Sequence, residues 1–113
     1  MLLKAGANID AQSRDYGNLL QAASYEGHDL IVKMLLENKA DVNAQGGKYG
    51  NALQSASAAG HQAIVQLLLD NGADVNKQGG FYSNALNAAA AENYIAIIEL
   101  LLKNSADALR HNS

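Results

Sequence analysis

Apolar residues in this chain come in short bursts that recur at a fixed interval. Leu20, Leu53 and Leu86 lie 33 residues apart, each within a run of small residues such as "ALQSASAA". A second burst follows each: "IVKMLL" from Ile31, "IVQLLL" from Ile64 and "IIELLL" from Ile97. In the middle copy, Leu53 and Ala56 share a helical face at i, i+3. Ile64, Val65, Leu68 and Leu69 then form one broad apolar stripe at helical spacing. The pattern predicts two short helices per period, Ala52 to about Ala59 and about Gln62 to Asp70.

Polar residues punctuate the same places. Asn18, Asn51 and Asn84 stand one residue before the first helix of each period, where an Asn side chain accepts from free N–H groups of the first turn. Gln21 and Gln54 follow three residues later and predict a reciprocal capping box; Asn84 and Asn87 are a weaker copy. Gly27 and Gly60 end the first helix, because glycine tolerates the left-handed conformation of a helix exit. Asn71-Gly72 stops the second helix. A polar link, "ADVNKQGGFYS", leads into the next period.

The units are 13–45, 46–78 and 79–111, preceded by a partial unit, 1–12, whose "MLLKAGANIDAQ" aligns with "MLLENKADVNAQ". The first two full units match at about 19 of 33 positions. Helices of eight to ten residues do not persist alone. Each must bury its stripe against the next unit, so the expected fold is an all-α stacked solenoid of helix–turn–helix units forming one domain over 1–113.

This arrangement resembles the ankyrin repeat over essentially the whole chain. The residues that carry the likeness are "AASYEGHDLIV" at 22–32 and "LLDNGADVN" at 68–76, with the period itself. One departure is systematic. The family's Thr-Pro-Leu-His opening reads Asn-Leu-Leu-Gln, Asn-Ala-Leu-Gln and Asn-Ala-Leu-Asn here, so the Leu stays, Asn replaces Thr as cap and the proline is lost. This "YGNALQ" version looks like the ankyrin arrays of filamentous fungi, often found behind a NACHT-type nucleotide-binding domain. The resemblance implies a protein–protein interaction module, with a ligand-sensing portion of a larger signalling NTPase as the alternative.

Composition narrows the rest. Apolar residues make up 49% of the 113 and charged residues 17%, which suits a globular chain. The net charge of −3 comes without a Lys/Arg cluster, so neither nucleic acid nor a membrane surface is expected as a partner. No apolar run is long enough to span a bilayer, and Met1-Leu2-Leu3-Lys4 lacks the form of a secretory signal. The absence of cysteine excludes disulfides and thiolate metal sites and fits a reducing compartment. The expected location is the cytoplasm, with the nucleus as the alternative.

Candidate chemistry is thin. His28 and His61 are equivalent residues of adjacent units, about 10 Å apart at normal helix spacing, too far to share a metal ion with ligand bonds of about 2 Å. Each imidazole reads instead as bonding backbone near the connecting loop, and Tyr94 replaces it in the third unit. "QGGKYGN" and "QGGFYSN" lack the Lys-Ser/Thr of a phosphate loop and read as turns. Asp41 and Asp74 recur with the scaffold and read as turn-bracing residues. No catalytic set, metal site or cofactor is expected.

Positions that differ between units are free to serve a partner. They are Arg14 and Asp15, Lys48, and Phe81 in the linking turns, and Tyr25, Glu26, Ala58, Ala59, Ala91 and Glu92 at the outer end of the first helices. The family resemblance puts these places on a concave, partner-binding face, and aromatic residues are common interface anchors. Tyr16, Tyr49 and Tyr82 recur and read as packing along the turn. Asn43 and Asn76 stand where ankyrin repeats are sometimes hydroxylated; bracing of the turn is the simpler role.

The ends lack polar capping units. Ile95 takes the place of Gln62 and Asp29, and Ile97, Ile98, Leu101 and Leu102 form a stripe with no following unit. The chain therefore reads as part of a longer array, or as one that meets further ankyrin repeats or itself through uncapped ends.

Overall fold

The computed structural model describes residues 18–112, and of residues 106–112 the helical backbone alone. The partial unit 1–12, Tyr16, Arg14 and Asp15 lie outside the described residues, as does the side chain of His111.

Six helices follow in order: α1 (Leu19–Glu26), α2 (Asp29–Glu37), α3 (Ala52–Ala59), α4 (Gln62–Asp70), α5 (Ala85–Ala91) and α6 (Ile95–Asn112). The described residues contain no strand, only an isolated bridge between Gly46 and Gly50. Helices α1, α3 and α5 stack in one row and α2, α4 and α6 in a second, each pair closing one unit. This is the all-α solenoid that the periodicity predicts, and α3 and α4 begin and end where the caps place them.

The core runs continuously through the stack. Leu20, Leu53, Ile64, Leu68 and Leu101 are buried, with Ala23, Ala56 and Ala89 between them. Alanine on the facing sides of α1, α3 and α5 lets these short helices approach closely, while the bulk comes from the second helix of each unit. Close packing of this kind leaves each unit dependent on its neighbours.

The first helices start as their caps dictate. The Oδ1 atoms of Asn18, Asn51 and Asn84 accept from the N–H groups of Gln21, Gln54 and Asn87 at 2.9, 2.9 and 2.8 Å. In unit 1 the box is complete, since Gln21 Oε1 accepts from the Asn18 N–H at 2.6 Å. The same amide reaches the next unit, donating from Nε2 to the carbonyls of Gly46 and Gly50 at 2.9 and 3.0 Å. Gln54 corrects the expectation of a second complete box. It is fully buried, yet neither amide atom has a partner. Its Nε2 lies beside Gly50, 3.0 Å from where a Cβ on that glycine would stand.

The first helices end as expected in two units. Gly27 and Gly60 are left-handed, with φ of 81° and 80°. Each also lies under a ring of the following unit: a Cβ would stand 2.7 Å from His61 at Gly27 and 2.7 Å from Tyr94 at Gly60. His61 Nε2 is 2.9 Å from the Tyr25 carbonyl oxygen, so this imidazole does bond backbone near a helix exit, in the preceding unit. His28 is exposed.

The third unit departs from the pattern. Ser83 stands where Gly50 does and Asn93 where Gly60 does, and both keep the left-handed backbone, at φ 77° and 60°. Helix α6 spans 18 residues where α2 and α4 span nine. Ser105 replaces the helix-stopping Gly72, and "ADAL" replaces "ADVN", exchanging Val and Asn for the better helix formers Ala and Leu.

Candidate functional site

The linking turns place side chains at the ends of the first helices. Gly46 N–H donates to Gly50 O, and Gly79 N–H donates to Ser83 O, both at 2.8 Å, closing two equivalent loops. The loops are laced together by Phe81 N–H donating to Lys48 O at 2.8 Å. Gly80, at φ 74°, sits against the Tyr49–Gly50 peptide with no room for a Cβ. This contact holds Phe81 of unit 3 beside Lys48 of unit 2.

An aromatic ladder results. The Tyr25 ring, from the last turn of α1, stacks on Tyr49 with centroids 5.0 Å apart and planes at 15°. Tyr49 in turn stacks on Tyr82 at 6.2 Å and 11°. Phe81 meets Tyr82 edge-on at 4.9 Å and 87°. The Lys48 Nζ lies 5.5 Å from the Tyr49 centroid and 5.8 Å from that of Phe81, within cation–π range of both. Phe81 is 69% exposed.

Of the residues singled out for partner contact, Tyr25, Lys48 and Phe81 are thus brought together. Glu26, Ala91 and Glu92 are exposed at the ends of α1 and α5, and Ala58 and Ala59 are half-buried at the end of α3. Tyr49 and Tyr82 were assigned by their recurrence to packing, and they do pack. They also form the base on which Tyr25, Lys48 and Phe81 rest. The missed signal is the pairing of a helix-end aromatic in one unit with the turn aromatic of the next.

A second set of contacts joins the turns on their other side. Asn43 Nδ2 donates to Gly72 O at 3.1 Å, and its Oδ1 accepts from the Asp74 N–H at 2.7 Å. Gln45 Nε2 donates to Gln78 O at 3.0 Å. Asp41 and Asp74 each accept from the N–H two residues on, at 3.0 and 2.9 Å, bracing their turns as the recurrence implies. Asn43 is half-buried in this junction and Asn76 is exposed. Among the described residues, no three or more His, Asp or Glu side chains cluster in a way that could hold a metal ion, and no helix is long and apolar enough to cross a membrane.

The family model of ankyrin repeats in three copies matches residues 1–79 and, in an overlapping match, 19–112. No curated protein matches the chain.

Proposed function

The chain belongs to the ankyrin-repeat family, and from that premise we propose that it binds a protein partner through the Tyr25–Lys48–Phe81 surface. Ankyrin repeats generally mediate protein–protein interaction and are typically not enzymes. The observation that carries the reading is the placement of Phe81, largely exposed, with an ammonium group between it and Tyr49. Aromatic rings fixed by stacking lose little conformational freedom on binding. Lys48 adds a charge that favours a carboxylate next to the partner's apolar contact. Glu26 and Glu92 mark the ends of the surface and favour basic groups there.

The test is affinity capture from the source cells with the wild-type chain and with Lys48→Ala/Phe81→Ala. Both residues are exposed, so the helical circular dichroism should be unchanged. The variant is expected to lose a protein that the wild type retains. Equal capture of every retained protein by both chains contradicts the reading.

A further inference from the structure

One asparagine holds the same place on the second helix of every unit. The Nδ2 groups of Asn38, Asn71 and Asn104 donate to the carbonyls of Met34, Leu67 and Leu100 at 2.7, 2.8 and 2.8 Å. The residue that follows differs: Lys39, Gly72 and Ser105. Asn71 is the one asparagine of the chain followed by glycine. Asn71 and Gly72 are both exposed, and a Cβ on Gly72 would meet no atom within 4 Å.

Such a pair carries its own chemistry. The Gly72 nitrogen, with no side chain beside it, can attack Cγ of the Asn71 amide. The N–Cγ bond forms, the Cγ–Nδ2 bond breaks, and ammonia leaves with the proton from the Gly72 N–H. Water then opens the five-membered imide, at Cγ to an aspartyl residue or at the main-chain carbonyl to an isoaspartyl one. Water is the only other reactant.

The fold holds the two groups apart. Ring closure needs Cβ, Cα and C of Asn71 nearly in plane with the Gly72 nitrogen. At the Asn71 ψ of 18°, that residue's own nitrogen lies near this plane instead of its Cβ. The Gly72 N–H also donates to Leu69 O at 3.2 Å. Attack therefore waits for the end of α4 to open, and helix ends fray. The product then acts on the neighbouring unit. Gly72 O accepts from Asn43 Nδ2 at 3.1 Å, a bond between units 1 and 2. An isoaspartyl link adds a methylene to the main chain just before Gly72. It also removes the donor to Leu67 O and puts a carboxylate at the negative end of α4.

We propose that Asn71 is a site of spontaneous deamidation, gated by the end of α4, and that its product loosens the tie between the first two units. The site uses none of the residues of the Tyr25–Lys48–Phe81 surface.

Peptide mapping of the whole chain, aged in mildly alkaline buffer with and without denaturing urea, tests the assignment. Trypsin puts Asn38, Asn71 and Asn104 on separate peptides, and fragmentation assigns each conversion to its residue. Asn71 should convert in the native chain, about tenfold or more slowly than in urea. Asn38 and Asn104 should keep their amides in the native chain over the same period. Gly72→Lys, which copies Lys39 and its left-handed φ of 69°, should fold alike and convert little. The aged wild type should unfold at a lower urea midpoint than the fresh chain, and aged Gly72→Lys at an unchanged one. A native chain that keeps the Asn71 amide overturns the proposal. So does a rate equal with and without urea, native conversion of Asn38 or Asn104 as fast as that of Asn71, or a converted chain that keeps the fresh midpoint.

Discussion

His61 belongs to the second unit and bonds the first: its Nε2 lies 2.9 Å from the Tyr25 carbonyl oxygen, and its ring covers Gly27. A carbonyl can only accept, so Nε2 carries the proton. The imidazole satisfies a group at the end of α1 and fills the space left by a glycine without Cβ. Tyr94 repeats the ring-on-glycine contact one unit later.

His61→Ala removes one hydrogen bond, worth about 0.5–1.5 kcal/mol net, together with the ring contact. Urea denaturation should show a loss of about 1–3 kcal/mol. His61→Tyr, which copies the third unit, should cost less than His61→Ala. An Ala variant with the wild-type midpoint would mean that the junction carries no stability.

Gln21 should matter more than Gln54. Gln21 makes bonds to its own cap and to the next turn. Gln54 is equally buried at the equivalent position, but its amide has no hydrogen-bond partner. Gln21→Met should destabilise by about 2–4 kcal/mol, since it leaves backbone groups buried and unpaired. Gln54→Met, which removes no such bond, should cost less. Equal losses from the two would show that the second amide makes bonds of the same kind.

Ser83 holds a left-handed backbone that Gly50 adopts in the unit before. A residue with a Cβ pays about 1–2 kcal/mol for that conformation, against about 0.5–1 kcal/mol of extra chain entropy that glycine loses on folding. Ser83→Gly should therefore raise stability by up to about 1 kcal/mol, seen as a higher denaturation midpoint with unchanged slope. A lower midpoint would mean that the Ser83 side chain makes a contact worth more than the backbone strain.

Much of the fold was legible because local chemistry and periodicity agree in the middle unit. Asn51 and Gly60 bound α3 from both sides, and Asn71-Gly72 bounds α4, so the predicted and observed limits coincide. Agreement weakened where the third unit keeps a conformation without its usual residue. Ser83 holds a left-handed backbone that no local preference announces, whereas Asn93 is a residue type that tolerates it. The prolonged α6 was hidden for the opposite reason: alignment suggested a turn that the helix-forming residues do not make. In the proposed surface, Tyr25, Lys48 and Phe81 were singled out by asking which positions vary. Their assembly on Tyr49 and Tyr82 was not, because stacking joins different positions of successive units and a comparison of equivalent positions keeps them apart.

The central claim is that the partner sits on the turn-and-first-helix surface. The most direct measurement is an amide chemical-shift map of the labelled chain titrated with the protein it captures. The account predicts the largest changes at Tyr25, Lys48, Tyr49, Phe81 and Tyr82, with α2 and α4 little affected. Changes confined to the exposed faces of α2 and α4, with the Lys48 and Phe81 amides unmoved, would contradict it.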